Sequence, residues 1–354
     1  MWLQINKQYI RTIKDSIKNK INRKDIYYII EGANWSIDHD GRSITANLSG
    51  LSSAVVTTCR GIRNSIVHFG SVNTFLSDDG PEFPHKSNKI IVTWFHISPG
   101  DKRVEFIPEA DKHVDLWHTS CNITRDKLVE FGVPGEKIVV IPLGVNLSVF
   151  GVPTPQQKEN IRSKLGISKG KIVIGSFQKD GIGWGEGLEP KLIKGPDVFC
   201  DVIEKLRHHY DLFVLLTGPA RGYVKKRLES SAVPYLHRFL NDPDEVAQYY
   251  KALDIYIVTG RVEGGPKAVV ESLASGVPLV STKVGMAPDI INDGEDGLLC
   301  DVDNVNEITE KSLRILQDKK QKEKIVAKGL ETARQYDWSR IAQQYEQHLY
   351  QRLL

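Results

Sequence analysis

The amino-acid sequence predicts an α/β protein built from two doubly wound domains, each with a parallel sheet covered by helices. The chain has 354 residues, which exceeds the size at which a single hydrophobic core keeps growing. Short apolar runs rich in β-branched residues alternate with helical patterns in both halves. Between the halves lies the segment from Leu147 to Asn160, which is polar, includes GVPTPQQKEN with its two prolines, and has the composition of a linker.

The predicted strands follow one another in the order expected for two sheets. In the first half they are Ile26–Ile30, Ile66–Phe69, Ile90–Phe95, Leu116–Thr119 and Ile138–Ile141. In the second half they are Ile172–Phe177, Leu212–Thr217, Ile255–Thr259, Val277–Ser281 and Leu298–Cys300. Because most of these runs are continuously apolar, both faces of each sheet should be buried under helices. We therefore predict a first domain at residues 1–150 and a second at 151–335.

Composition excludes several classes of protein. The net charge of +3 gives the whole chain no polyanion-binding signature, so no nucleic-acid partner is expected. The four cysteines are scattered without a CxxC pair, which argues against a zinc site and fits a reducing compartment. No apolar run approaches the roughly 18 residues that span a bilayer, and no signal-peptide core begins the sequence. We expect a cytoplasmic protein without a bound metal.

The N-terminal segment is a basic amphipathic helix by its pattern. Isoleucines recur at helical spacing, at positions 10, 13, 17 and 21. The basic residues before Ile26 are Lys7, Arg11, Lys14, Lys18, Lys20, Arg23 and Lys24. Two interpretations stay open. The isoleucine stripe packs on the first domain, or the helix makes peripheral contact with anionic lipid at the inner face of a membrane.

Two carboxylates lie eight residues apart in GRVEGGPKAVVESLASGVPLVST, at Glu263 and Glu271. At about 1.5 Å per helical residue they are roughly 12 Å apart. That is too far for both to act on one glycosidic bond, which needs about 5–9 Å. It suits the two ends of a long ligand such as a nucleotide sugar.

The turn between these carboxylates has the composition of a phosphate site. Gly264 and Gly265 allow a backbone to approach a ligand closely. Pro266 is expected at the first helical position, where a missing N–H costs nothing, and Lys267 adds a cation at the same helix end. The alternative is an ordinary glycine turn before an amphipathic helix.

A second candidate cluster is Lys194-Gly195-Pro196-Asp197 at the start of another predicted helix. It follows strand Ile172–Phe177 after the loop QKDGIGWGEGLEPKLI, which is long for a strand-to-helix connection and therefore suggests function. A lysine at this place binds phosphate as a point charge. The alternative is a solvated surface lysine.

Four residues of the first half are candidates for contacts with an acceptor or a sugar. His96 follows a strand and could hydrogen-bond a sugar hydroxyl, and His68 in SIVHFGSV is a similar candidate. Asn34 and Trp35, after the first strand, offer a polar group and an aromatic platform. Each has a structural alternative, because single histidines and tryptophans are often core residues.

The second half resembles a known family. EGGPKAVVESLASGVPLVSTKVGMAPDIINDGEDGLL (residues 263–299) is similar in order and spacing to the signature of the retaining nucleotide-sugar glycosyltransferases of family 4. IPLGVNLSVF resembles the segment that closes their first domain, and YDWSRIAQQY resembles their closing helix. The resemblance implies the GT-B fold, with two Rossmann-like domains facing a central cleft and residues 336–354 returning to the first domain.

The resemblance also implies roles for the candidates. Glu263 would contact the donor sugar near its 3-hydroxyl, and Glu271 would accept hydrogen bonds from the ribose. Lys194 would neutralise the diphosphate, while His96 would lie near the sugar 6-hydroxyl. The remaining donor contacts would come from Gly264, Gly265, Pro266 and Lys267. Transfer of a hexose-type sugar would proceed with retention, without a metal and without a cofactor beyond the nucleotide-diphosphate sugar as co-substrate.

One departure from the family pattern affects donor binding. An arginine usually follows the glycine of the first donor-domain strand, whereas Ser176 follows Gly175 here. We therefore count Ser176 and Lys179 among the candidate donor-binding residues. Lys179 could supply the charge but not the fork geometry of a guanidinium. The departure keeps open a catalytically weak nucleotide-sugar-binding subunit, and an epimerase of the same fold is a third reading. The acceptor, a glycan, a lipid-linked sugar or a small molecule, is not specified by the sequence.

Overall fold

The computed structural model describes residues 2–33, 35–77 and 80–354. These divide into two compact units. Unit 1 comprises Met1–Gly144 and Trp338–Leu354, and unit 2 is Val145–Asp337. Each is an α/β unit with its own hydrophobic core.

Unit 1 is organised around a parallel sheet of six strands in the described residues, in the order β2-β1-β3-β6-β7-β8. The strands of this sheet are β1 (Ile26–Ile29), β2 (Ser53–Val56), β3 (Ile66–Phe69), β6 (Lys89–Thr93), β7 (Leu116–Thr119) and β8 (Ile138–Val140). Outside it are β4 (Leu76–Ser77) and β5 (Gly80–Pro81). The helices before the domain boundary are α1 (Trp2–Ile21), α2 (Ser36–Asn47), α3 (Val72–Phe75), α4 (Ile107–Ala110) and α5 (Asn122–Glu130). Strands β4 and β5 form a separate antiparallel pair.

Unit 2 repeats the design, with a second described six-stranded parallel sheet in the order β11-β10-β9-β12-β13-β14. Its strands are β9 (Ile172–Phe177), β10 (Leu212–Thr217), β11 (Tyr235–Arg238), β12 (Ile255–Val258), β13 (Leu279–Thr282) and β14 (Leu298–Cys300). Its helices are α6 (Pro155–Lys164), α7 (Pro196–Leu206), α8 (Gly222–Ser230), α9 (Val246–Tyr250), α10 (Ala268–Ala274), α11 (Ala287–Ile290), α12 (Val305–Gln317) and α13 (Lys319–Ala333).

The strand order in unit 2 reverses between β9 and β12. The chain proceeds from β9 outward to β10 and β11, and then returns to the other side of β9 at β12. In an open parallel sheet, the crevice at the carboxyl ends of the strands beside such a reversal is the usual ligand site. The loops that follow β9 and β12 are those that carry Lys194 and Glu263.

The last segment of the chain belongs to unit 1. It consists of α14 (Trp338–Gln344) followed by a π-helical turn at Tyr345–Tyr350. Glu346 accepts hydrogen bonds from the backbone N–H groups of Ser49 and Gly50, and Tyr345 and Tyr350 are buried beside β3 and β7.

The observed elements differ from the predicted ones at places where apolar pattern is weak. The edge strands β2 and β11 are partly exposed and were not predicted. The predicted strand Val277–Ser281 begins at Leu279 instead. The second half of the predicted linker is helical, because Thr154 caps α6 by accepting from the Gln157 N–H and Pro155 fits its first turn.

Helix α1 lies on unit 1 through polar groups. The Asp15 carboxylate accepts hydrogen bonds from the N–H and hydroxyl of Thr57, and the Asn19 amide donates to the carbonyl of Thr58. Of the isoleucines, Ile13, Ile17 and Ile21 are exposed, so the interpretation in which the stripe packs on the first domain is wrong for these three. Within residues 2–33, 35–77 and 80–354, no helix combines the length and apolarity that crossing a membrane requires.

Candidate functional site

Lys194 and Glu263 form the centre of the candidate site in unit 2. The Lys194 ammonium lies 2.5 Å from both carboxylate oxygens of Glu263. The two side chains are 20% and 12% exposed, so the pair is largely desolvated yet reachable from solvent. The residues are 69 positions apart in sequence, and the fold brings them together at the switch between β9 and β12.

Gly195 explains why these two loops can approach each other. Its φ is +64°, and a Cβ built on it would lie 1.8 Å from the carbonyl oxygen of Thr259. The Thr259 hydroxyl donates to the Gly195 carbonyl over 2.8 Å. Only glycine allows both this left-handed conformation and this backbone contact.

Arg261 connects the same two loops through its side chain and its backbone. Its guanidinium donates to the carbonyl of Leu192 and forms two hydrogen bonds with the Asp197 carboxylate. The backbone N–H groups of Arg261 and Val262 both donate to the carbonyl of Ile193. A charge-assisted, two-point contact of this kind fixes orientation as well as distance. Lys194 is therefore held by bonds to the residues on each side of it.

The Glu263–Gly264 turn is supported by the loop after β13. The Met286 N–H donates to the carbonyl of Gly264 over 2.9 Å. A Cβ on Gly285, whose φ is +53°, would lie 2.3 Å from the same carbonyl oxygen. This support was not predicted from the sequence, although Gly285 lies inside the block that resembles the family signature.

Two further lysines add positive charge beside the pair. Burial, and then the charge of Lys194, lowers the pKa of Lys191, while Glu263 acts in the opposite direction. Burial also lowers the pKa of Lys179, whose ammonium lies 3.5 Å from the centre of the Trp184 ring. Lys191 was missed by the sequence analysis, although it stands one helical turn before Lys194 in the run KLIK. Together, Lys179, Lys191 and Lys194 outweigh the charge of Glu263, which suits a diphosphate.

The turn at Gly264, Gly265 and Pro266 departs from prediction in one respect. Helix α10 begins at Ala268, with Lys267 as its N-cap, so Pro266 precedes the helix instead of occupying its first position. The Pro266 carbonyl accepts from the N–H of Val269. Helix α10 therefore begins two residues later than the proline pattern indicates, because the Pro266 carbonyl closes a tight turn with Val269 before the first helical hydrogen bond, from the Glu271 N–H to the Lys267 carbonyl.

Glu271 is positioned by a buried tyrosine. The Tyr250 hydroxyl donates to Glu271 Oε2 over 3.1 Å, and Tyr250 stacks on Tyr256 with ring centres 5.2 Å apart. Burial, and then the proximity of Tyr256 and Glu271, raises the pKa of Tyr250 well above its ordinary value, so the hydroxyl remains a donor. Glu271 is half-buried, on the first turns of α10.

Ser176 is placed differently from the role that the resemblance implies. It is buried, and its hydroxyl and carbonyl both accept hydrogen bonds from the guanidinium of Arg221. Arg221 also donates to the carbonyls of Gln178 and Thr217 and lies 2.9 Å from the Asp180 carboxylate. Ser176 therefore takes part in a buried clamp between the loops after β9 and β10, and its side chain is not presented to a ligand in this structure.

The candidates in unit 1 divide into accessible and inaccessible residues. His96 is half-buried in the loop after β6, where the Trp94 indole N–H donates to its carbonyl. Trp35 is exposed immediately before α2, and Asn34 lies outside the described residues. Ile97, the residue directly after His96, lines a cavity of about 570 Å³.

His68 is not accessible to an acceptor in this structure. It is fully buried, its Nδ1 lies 2.9 Å from the Tyr350 hydroxyl, and its Nε2 lies 2.7 Å from the Thr93 hydroxyl. Burial, and then the neighbouring His118, lowers the pKa of His68 well below its ordinary value. A strand residue whose two nitrogens are both satisfied within the protein serves the packing between the sheet and the C-terminal turn.

The fold of this chain is that of the GT-B proteins. A crystal structure of Anabaena HepE in complex with UDP-glucose superposes with a TM-score of 0.73 over 93% of this chain and 100% of that one, at 14% identity. A glycosyltransferase from Rickettsia africae gives 0.70 over 94% of this chain and 98% of that one, at 16% identity. At these identities the likeness establishes the fold.

Residues 187–332, which lie in unit 2, match the family model of the glycosyl transferases group 1. The matched region contains Lys194, Glu263 and Glu271. An alpha-monoglucosyldiacylglycerol synthase of Streptococcus pneumoniae is 30% identical over 181 residues, which are 50% of this chain and 39% of that protein. A D-inositol 3-phosphate glycosyltransferase of Corynebacterium aurimucosum is 26% identical over 63% of this chain and 53% of that protein. The chain thus spans about half the length of the curated relatives it matches.

Proposed function

We propose that this chain is a retaining glycosyltransferase that moves a hexose-type sugar from a nucleotide-diphosphate donor to an acceptor hydroxyl. The observation that carries the proposal is the Lys194–Glu263 pair at the switch of the unit 2 sheet, with Lys179 and Lys191 beside it. The match of residues 187–332 to the family model of the glycosyl transferases group 1 supports it.

The lysines act on the leaving group. When the bond between the sugar and the diphosphate breaks, negative charge develops on the diphosphate, and preorganised cations at that place stabilise the transition state. Lys194 is held by the contacts of Gly195 and Arg261, so it needs little rearrangement to reach the phosphate. Lys191 and Lys179 neutralise the remaining charge. This set of cations supports a mechanism without a metal.

Glu263 has two tasks in this proposal. In the structure it neutralises Lys194, which keeps a buried ammonium from standing alone. When the donor binds, the diphosphate takes over part of that neutralisation, and Glu263 accepts a hydrogen bond from a hydroxyl of the transferred sugar. The exchange makes sugar recognition depend on the presence of the diphosphate.

Glu271 binds the nucleoside end of the donor. Its Oε2 accepts from Tyr250, which fixes the carboxylate orientation, and in this proposal the two ribose hydroxyls donate to the same carboxylate. Glu263 and Glu271 stand before and within α10, which suits contacts with the two ends of a long donor. We place His96 near the transferred sugar on the basis of the family resemblance.

The acceptor class stays broad in this proposal. Among the relatives, one is named for a glucosylated diacylglycerol and another for inositol 3-phosphate, and the two acceptors share little chemistry. The acceptor is a glycan, a lipid-linked sugar or a small molecule with a free hydroxyl.

Donor binding and transfer are tested in two stages. First, the thermal stability of the purified chain is followed with a panel of nucleotide sugars, UDP-glucose included; a ligand at a hundredfold excess over its Kd stabilises by about 2.7 kcal/mol. The stabilisation should be lost in Glu271→Ala. Second, the anomeric configuration of the transferred sugar is read by NMR on an acceptor library. Inversion would refute retention, and a lack of stabilisation by every donor would refute the donor site.

A catalytically weak nucleotide-sugar-binding subunit is the second candidate function. The observation that favours it is Ser176, buried at a place where the family usually has an arginine. This candidate predicts donor-induced stabilisation without release of nucleoside diphosphate on any acceptor. Measured turnover by the chain alone, abolished by Lys194→Ala, would exclude it.

A further inference from the structure

Helix α1 faces the solvent with its apolar side. Ile13, Ile17 and Ile21 are 44%, 55% and 73% exposed, although they recur at the spacing of one helix face. A surface helix of a soluble protein normally turns this face to the core. The exposed stripe is therefore a candidate surface for a partner outside unit 1.

The opposite side of α1 is the one that contacts unit 1. The Asp15 carboxylate binds the N–H and hydroxyl of Thr57 at 3.0 and 2.9 Å, and the Asn19 amide donates to the carbonyls of Thr58 and Arg60 at 3.2 and 3.1 Å. Asn19 is only 6% exposed. With about 3.6 residues per turn, these residues project from the side of the helix opposite the isoleucines. The orientation is thus fixed by hydrogen bonds.

Positive charge borders the isoleucine stripe on both sides. Lys14 and Lys18 flank one edge and Lys20 flanks the other, and all three side chains are exposed. The acidic residue of this stretch, Asp15, is engaged with Thr57 and lies on the docked side. An apolar stripe between cationic edges is complementary to a surface that is apolar inside and anionic at its boundary.

We propose that α1 is a docking site for an anionic lipid bilayer, with Ile13, Ile17 and Ile21 entering the boundary between headgroups and acyl chains and the lysines binding lipid phosphates. Helices of this type lie in the plane of the interface, and their binding combines buried apolar area with attraction to anionic headgroups. A second copy of the chain is the competing occupant. Pairing two such helices would bring their lysines together, which like-charge repulsion opposes. The proposal does not depend on sugar transfer.

The binding should be reversible and sensitive to salt. Three isoleucines bury a small area, so the lysines are needed as a second signal, in the way that single lipid anchors need a polybasic patch. Each lysine near an anionic surface contributes about a fivefold factor to the partition coefficient. Screening at molar ionic strength, where the Debye length is about 3 Å, should therefore release the protein.

The test is co-sedimentation of the full chain with vesicles. Vesicles of phosphatidylcholine with about one third phosphatidylglycerol are compared with pure phosphatidylcholine, because the anionic fraction sets the surface potential. The triple variant Ile13→Ser, Ile17→Ser and Ile21→Ser should lower the partition coefficient at least about tenfold. The triple variant Lys14→Gln, Lys18→Gln and Lys20→Gln should lower it by about two orders of magnitude and reduce the salt dependence.

A matched control uses exposed apolar residues of unit 1 outside α1. Val129→Ser with Phe131→Ser, at positions 46% and 41% exposed, should bind vesicles as the wild type does. Equal loss in this control, or no wild-type binding to anionic vesicles, overturns the proposal. Sedimentation velocity without lipid tests whether a second copy of the chain covers the isoleucine stripe. A dimer of the wild type that dissociates in the isoleucine variant would assign the stripe to a second copy and overturn the lipid assignment.

Discussion

The substitution Gly195→Ala tests the idea that one glycine brings Lys194 to Glu263. An added Cβ would stand 1.8 Å from the Thr259 carbonyl oxygen and 2.6 Å from the carbonyl carbon. Ordinary contacts begin near 3.4 Å, so the loops after β9 and β12 must separate by about 1.5 Å. The substitution leaves every charged group of the site in place, and its effect on function therefore comes from displacement.

Two costs are expected for the free energy of unfolding. The left-handed conformation at φ +64° costs an alanine about 1–2 kcal/mol. Overpacking against the Thr259 backbone adds about 1–3 kcal/mol. For the reaction, a misplacement of about 1 Å lowers the rate on the order of a hundredfold. We expect donor affinity and turnover to fall together, because Lys194 is displaced from both the ground-state and the transition-state phosphate.

Gly166→Ala provides the matched control. Gly166 has a φ of +71°, and no atom lies within 4 Å of the position that its Cβ would take. It should therefore lose the conformational cost alone and keep donor binding. Urea unfolding of the two variants and the wild type measures stability, and thermal shift with the best donor measures binding. If both variants lost the same stability and Gly195→Ala bound the donor normally, the assignment of Gly195 as the positioning residue would be refuted.

Three further predictions concern single side chains. Lys194→Ala should lower the free energy of unfolding by about 1–2 kcal/mol, because it leaves the Glu263 carboxylate, 12% exposed, without its cation. The same variant should lower the rate of transfer on the order of a hundredfold. Adding Glu263→Gln should restore stability in urea unfolding but should not restore turnover. Tyr250→Phe should weaken donor binding about fivefold by releasing Glu271, and unchanged affinity in titration would contradict the role of the hydroxyl. Burial lowers the pKa of His118 to about 4, so between pH 6.5 and pH 4 the unfolded chain binds a proton that the folded chain does not. The free energy of unfolding, measured in urea, should therefore fall by up to about 3 kcal/mol as pH falls from 6.5 to 4. The substitution His118→Gln should reduce this loss.

The fold class followed from the sequence because the central strands are apolar on both faces. Strands β7, β9, β10 and β14 have the predicted bounds, and each is mostly or fully buried along its length. Strand β11 was not predicted because YLHR has only two apolar residues, followed by two polar ones, and is only partly buried at the sheet edge. The pattern of apolar residues thus reports burial, and it loses an element where burial is incomplete.

The candidate site was found in part. Lys194 and Glu263 were predicted as separate motifs, and their direct contact depends on a close backbone approach that is visible only when Gly195 and Thr259 are adjacent in space. Lys191 carried no signal of its own, because a lysine in a long polar loop is ordinarily solvated. Its role comes from a local hairpin, in which the N–H of Lys191 donates to the Asp180 carbonyl.

The departure from the family pattern at Ser176 has a structural counterpart in the same unit. Arg221 comes from the loop after β10, and its guanidinium binds the Ser176 hydroxyl together with three carbonyls while it neutralises the buried Asp180. A guanidinium engaged in this way holds the start of the loop that carries Lys179. The fork geometry then serves the scaffold, and point charges on flexible stems face the place that we propose for the diphosphate. Arg221→Met should accordingly weaken donor binding because it displaces Lys179. Lys179→Met should weaken donor binding because it removes a positive charge, and this effect should disappear at high salt, where the charge is screened. Equal salt sensitivity of the two variants would contradict this division of roles.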